Sequence, residues 1–146
     1  ADTDAARAAK LLLHLNDAET AEQRIVLGAG QLDGKDYSTL TPLAQALEAH
    51  GCHRAEAAVY RALMHGILDR AYSPAYSHAA RYLHRLRALA AAGVDMGTLP
   101  SHDAFEAELR LKHGRKPAFW AAVNKKPAAR GSQSDSVGDG ENPERP

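Results

Sequence analysis

Between Leu40 and Ala90 the apolar residues recur three and four apart, the spacing that gathers one side of an α-helix into a stripe. Three consecutive helices are predicted there. Leu40, Leu43 and Leu47 form the first stripe, opened by Thr41-Pro42 as N-cap and first helical residue and closed by Gly51. Ala55, Ala58, Val59, Ala62, Leu63 and Ile67 form the second, and Tyr60, Met64 and Leu68 widen it, so this helix needs neighbours on more than one side. Ser73-Pro74 opens the third, which turns Tyr76, Ala79, Leu83, Leu86 and Ala90 inward and Ser77, Arg81, His84 and Arg85 toward water. Gly93 supplies a left-handed stop, with Val94 packing back on Leu89.

The flanks extend the same pattern. Thr3-Asp4 starts a helix through about Leu15, and Asp17 caps another over Ala18 to Leu27, whose apolar end Ile25-Val26-Leu27 also suits a short strand. Residues 28–36, GAGQLDGKD, are turn-rich. Gly28-Ala29-Gly30 lacks both the strand before it and the helix after it that would place a pyrophosphate on a helix N-terminus, so it reads as an interhelical loop. Ser101 caps a helix through about His113 that puts Asp103 and Glu106 at its positive end and Lys112 and His113 at its negative end. Phe105 and Leu109 face inward, and Gly114 stops it. Pro117 opens a last short helix with Phe119, Trp120 and Val123, Trp120 serving as an anchor. The expected fold is all-α: antiparallel helical hairpins stacked as a short solenoid-like array of about six to seven helices. One domain spans residues 1–126, and residues 127–146 are too poor in apolar side chains to order.

Composition narrows the setting. A chain of 146 residues fits one domain, which at that size buries roughly two-thirds of the surface its unfolded chain exposes. Cys52, the single cysteine, has no internal partner, and no apolar run has membrane length, so a cytoplasmic protein without a membrane role is expected. The chain begins at Ala1 without an initiator Met, which suggests a trimmed or processed start. Net charge is zero with 18 Lys/Arg against 18 Asp/Glu, yet residues 81–130 hold ten Lys/Arg and four Asp/Glu. The basic excess sits in one region, which bears on partners more than the total does.

Candidate chemistry meets a plainer reading at each place. His50, Cys52 and His53 are three ligand types within four residues, but a structural zinc needs a second pair, which is missing. His102 and His113 are eleven residues apart on one helix, roughly 16 Å, too far to share an ion. His65, Asp69 and Ser73 run down one helix side, but a triad needs the histidine between acid and nucleophile, so His65 with Asp69 reads as an exposed surface pair. Glu106 with Arg110 and Glu108 with Lys112 have the acid four residues ahead of the base, the favourable order for surface ion pairs. No catalytic residue, metal or cofactor is therefore expected. What remains is a basic face of Arg81, His84, Arg85, Arg115 and Lys116, the candidate binding residues.

Two resemblances follow from these segments. The hairpin with Gly at its turn and Ala58, Tyr60 and Ala62-Leu63 on its second helix is similar to tetratricopeptide-type repeats. The run AAVYRALMHGILDRAYSPAYSHAARYLHRL, followed by LPSHDAFEAELRLKHGRKPAFW, resembles the C-terminal region of an uncharacterised bacterial helical family. A similar ending occurs in some bacterial proteins that also carry a SWIM-type zinc-binding domain. That resemblance implies a chain forming the C-terminal part of a longer protein; the SWIM cysteine and histidine pattern is absent here, so it implies no zinc. The expected function is a non-enzymatic scaffold that holds a protein partner. A nucleic-acid-associated domain using the basic face and an enzyme with histidines converging from several helices are the alternatives, the latter turning on where His65, His78, His84, His102 and His113 lie.

Overall fold

The computed structural model describes residues 9–10, 13–14 and 17–125. Six helices have defined bounds: α1 (Ala18–Leu27), α2 (Tyr37–Ala49), α3 (His53–Asp69), α4 (Tyr76–Ala91), α5 (His102–His113) and α6 (Pro117–Asn124). Single 3-10 turns occupy Ala29–Gln31 and Ser73–Ala75, and no strand occurs among the described residues. The expected start at Thr3-Asp4 and the expected tail at 127–146 lie outside those residues. Ala9 and Leu13, which are helical, reach the core. No helix among the described residues is long and apolar enough to cross a membrane.

Local signals account for most boundaries. The Asp17 carboxylate accepts the Thr20 N–H (3.3 Å) and Ser101 Oγ accepts the Ala104 N–H (3.1 Å), each satisfying a donor of a first turn. Gly51 and Gly93 are left-handed, and Cys52 N–H to Leu47 O (2.8 Å) and Val94 N–H to Leu89 O (3.2 Å) complete two Schellman endings. α3 ends the same way on Ala71, whose φ of 51° is uncommon outside glycine, with Tyr72 N–H on Ile67 O. Three expectations need correction. Ser73-Pro74 heads a 3-10 turn without a side-chain cap bond, and the helix expected there starts at Tyr76. α2 starts at Tyr37, with the Asp36 carbonyl accepting from Thr39 and Leu40, so Pro42 lies inside the helix rather than at its first position. The carbonyl that Pro42 leaves without its helical donor belongs to Ser38, an exposed residue, where a missing bond is tolerated. Gly114 closes α5 with φ −60°, not in the left-handed region.

α3 is the hub. It packs on α1, α2 and α4, while α4 also carries α5 and α6, so the principal contacts join helices one or two places apart in the chain. Every residue from Ala55 to Arg61 is buried, as the wide apolar stripe requires. Ile25, Leu43, Leu47, Leu63, Met64, Leu68, Leu83, Leu86, Leu109 and Phe119 are fully buried around it, each worth about 1.5–3 kcal/mol of removed apolar surface. Tyr60 stacks on Tyr82 across the α3–α4 contact, ring centroids 5.0 Å apart. The 28–36 loop comes down on α3 at Gly34 and Gly66, where the two backbones touch: a Cβ on Gly34 would overlap the Ala62 carbonyl, and one on Gly66 would overlap Gly34.

α5 is tied to α4 by charge. Arg87 Nε and Nη2 donate to Glu106 Oε1 and Oε2 (2.6 and 3.0 Å), and His102 Nε2 lies 2.7 Å from Oε1. The expected Glu106–Arg110 surface pair is the weakest of Glu106's contacts, at 3.9 Å. Glu108–Lys112 forms as the spacing predicts, at 3.0 Å.

The backbone contact and the Glu106 ion pair each have a measurable consequence. Gly66→Ala is expected to cost about 1–3 kcal/mol in urea denaturation through overpacking, whereas Gly30→Ala, with open space around it, stays within about 0.5 kcal/mol. Hydrogen bonds from Arg87, followed by those from His102, hold the Glu106 carboxyl down to about 2. An unfolded Glu titrates near about 4.3, so this group's contribution is complete above that value and is lost as pH falls toward 2. Glu106→Gln should therefore flatten the fall of Tm between about pH 5 and pH 2 and lower Tm at neutral pH.

Candidate functional site

The five basic residues singled out in the sequence do different things. Arg85 Nε and Nη2 donate to Glu56 Oε2 and Oε1 (2.6 and 3.2 Å), and Glu56, on α3, is 0 % exposed. His53 Nδ1 adds a contact at 2.9 Å to Glu56 Oε1, and Glu48 stands 3.8 Å from Arg85. This hydrogen bonding raises the Arg85 pKa further, so the residue, itself half-buried, is committed to a buried carboxylate at the inner edge of the face expected to meet water. Arg81 is exposed, donates to His78 Nδ1 (3.0 Å) and lies over the Tyr82 ring. His84 is half-buried, its Nε2 buried without a partner. Arg115 is exposed, and Lys116 sits half-buried at the start of α6, near His113.

Histidines and glycines that read as surface or turn residues in the sequence frame a cleft instead. Its volume is about 650 Å³, and its walls are the Ala29–Lys35 loop, α3 from Ala58 to Arg70, the Leu99-Pro100 turn and α5 at Phe105 and Glu108. The Gly34–Gly66 approach brings the loop wall within reach of α3, because any side chain there would hold it off. Arg61 lies on the floor. It is only 7 % exposed, its Nε and Nη2 have no hydrogen-bond partner, and its guanidinium rests over the Phe105 ring at 4.9 Å. Burial pulls its pKa down.

No carboxylate lining the cleft pairs with Arg61. Asp33 Oδ1 accepts the Lys35 N–H (3.0 Å), Glu108 holds Lys112, and Asp69 faces His113. Among the described residues Arg61 is left without an opposite charge, although a buried cation ordinarily has one.

Beside it, α3 and the end of α5 converge. His65 and Asp69 share a side of α3, and His113, the last residue of α5, packs against them; their ligand atoms lie within 4.8 Å of one another. His65 is half-buried, edge-on to Phe105 (centroids 5.6 Å), and so is not the exposed surface pair that its spacing from Asp69 suggests. His113 is 5 % exposed. Its Nε2 is 3.2 Å from Asp69 Oδ1, an ion-pair distance without hydrogen-bond alignment, since both ring nitrogens are buried and unpartnered. Burial pushes both imidazoles below their ordinary value, Asp69 opposing in each case, and Lys116 adds to the effect on His113. His113 is thus neutral near pH 7, not the charged end of a helix dipole expected from its position.

Some of this was readable. Phe105, Leu109 and His113 are spaced by four, which places His113 on the buried side of α5. Arg61 lies among the residues of the α3 stripe, but nothing in the sequence says that its charge goes unpaired. The His50, Cys52, His53 cluster does not gather: His50 is exposed, Cys52 is buried with its thiol pushed up by burial, and His53 turns to Glu56.

The fold and this cleft describe a small all-helical protein with a largely apolar cleft floored by a buried cation. The chain belongs to the family of unknown function DUF6880, which it matches over residues 1–122. No curated protein and no solved structure matches it.

Arg85→Ala is expected to lower stability by about 3–5 kcal/mol in urea denaturation, because it strands a buried carboxylate. Arg81→Ala, on the same helix but exposed, should change it by no more than about 0.5 kcal/mol.

Proposed function

We propose that this chain is a helical binding module that takes an anionic group, carboxylate or phosphate, from a protein partner into the cleft floored by Arg61. One observation carries the reading: a guanidinium 7 % exposed, lining an open cleft, with two buried N–H donors and no acceptor. Leaving a cation so placed costs several kcal/mol, and a planar anion that meets the guanidinium fork offsets that cost with two parallel hydrogen bonds. Phe105 beneath and Ala58 and Ala62 beside it exclude water, which strengthens the pairing. The stacked-hairpin arrangement, akin to that of tetratricopeptide-type repeats, suits a cytoplasmic protein-holding role.

The nucleic-acid reading ranks below this one. Arg85 and Arg87 are committed to Glu56 and Glu106, leaving Arg81, Arg115 and Lys116 as the cations such a ligand would meet. The reading as an enzyme gains from the meeting of His65 and His113, two of the five histidines on whose positions it turns.

Thermal unfolding with and without succinate or inorganic phosphate tests the proposal. At about 100 times Kd either anion should stabilise the protein by about 2.7 kcal/mol. Arg61→Met is expected to remove that response and to raise the stability of the free protein by about 1 kcal/mol or more, since an uncompensated buried charge has gone. A variant that loses stability yet keeps the anion response would show that Arg61 serves the fold alone.

A further inference from the structure

We infer that His65, Asp69 and His113 form a site for one divalent first-row metal ion, best suited to zinc, at the end of the cleft. The inference uses different residues from the anion proposal and stands without it. Two imidazoles and a carboxylate are the donors that zinc takes when three protein ligands leave a fourth position open. Donors about 2.0–2.1 Å from a tetrahedral ion lie about 3.3 Å from one another. His113 Nε2 and Asp69 Oδ1 are already 3.2 Å apart.

How that pair meets is the stronger argument. If Asp69 merely accepted a proton from His113, the N–H would point at the oxygen. The geometry instead leaves both His113 nitrogens buried without a hydrogen-bond partner among the described residues, on a residue 5 % exposed. A buried imidazole nitrogen beside a carboxylate oxygen, with no hydrogen bond closed between them, keeps its lone pair free for an ion that both could hold. His65, one turn before Asp69 on α3, supplies the third donor with all three atoms within 4.8 Å. Closing that spread needs a displacement of about 1.5 Å, which side-chain torsions supply, because His65 is only half-buried and the Asp69 side chain is 63 % exposed. No other grouping of three His, Cys, Asp or Glu among the described residues comes together in this way.

The donor set and its surroundings fix what would bind. Magnesium and calcium want oxygen ligands, so the two nitrogens select the later first-row ions. The open position faces the cleft lined by His65 and Asp69, where water or an anionic oxygen completes the shell. His113 Nδ1 has no acceptor behind it, so the site lacks the outer hydrogen bond whose loss typically weakens histidine ligation about 10–100-fold. Affinity in the micromolar range is expected.

Calorimetric titration of the metal-free, untagged chain with Zn²⁺ decides the matter, with Co²⁺ absorption reporting geometry. The expected result is one ion per chain, intense visible bands of four-coordinate cobalt, and a rise in Tm on zinc addition. Asp69→Asn, a change at an exposed side chain, should keep the metal-free Tm while weakening zinc at least tenfold. His65→Ala should do likewise, and His113→Ala should abolish binding, with circular dichroism showing whether it folds. Absence of binding, or binding unchanged in Asp69→Asn and His65→Ala but lost in His50→Ala or Cys52→Ser, would overturn the assignment. Arg61→Met should bind zinc like the parent chain, which separates failure of this site from failure of the anion proposal.

Discussion

A fully buried carboxylate on the central helix has to be matched, and Glu56 is matched from α4 by Arg85. Removing the Glu56 carboxylate from water costs several kcal/mol, which two aligned hydrogen bonds from the partly exposed Arg85 and a contact from His53 offset. The consequence is directional. Apolar stripes allow helices to slide past one another, whereas a bidentate contact accepts only one register. α3 and α4 are therefore fixed by charge geometry as well as by Tyr60 on Tyr82, and α4 carries the helices that follow.

From that fixed pair the cleft follows in two steps. On one side, Gly34 and Gly66 bring the 28–36 loop onto α3 at backbone contact, so a segment with little apolar content becomes a wall. On the other, Arg87 grips Glu106 from α4 and sets α5 across it, delivering Phe105 beneath Arg61 and His113 beside Asp69. Trp120 closes the far end, its Nε1–H on the His113 carbonyl (2.9 Å) and Arg110 over its ring. The expected anchor thus holds the turn at His113, while Phe119 next to it fills the core.

Periodicity and caps make the helices legible, because both are local. Asp17, Ser101, Gly51 and Gly93 behave as their residue types dictate. Where local chemistry is ambiguous the sequence misleads: Thr41-Pro42 carries a strong start signal, yet Asp36 begins the helix a turn earlier, and α3 stops on an alanine that bears no stop signal. The site is harder to read for a different reason. Glu56 with Arg85 and Asp69 with His113 are separated by 29 and 44 positions in the chain, so no spacing rule brings them together. Helical wheels place Arg85 outward and His65 on the surface, since a wheel records angle and not the depth of the neighbouring helix. His113 is the exception, because its place four residues after Leu109 marks it as inward.

One helix therefore carries two buried charges with opposite treatment. Glu56 is satisfied on every side, and Arg61, five residues on, has only the face of Phe105. Folding alone would favour replacing Arg61 by an apolar residue of similar length, as it would favour replacing His113, whose imidazole is buried with both nitrogens unpaired. A core that satisfies Glu56 so fully leaves Arg61 unpaired in the lining of the cleft and His113 unpaired just behind it, against Asp69. Unpaired buried groups of this kind raise the free energy of the empty protein, and under the proposed anion-binding reading an arriving acceptor would relieve that cost without a large interface.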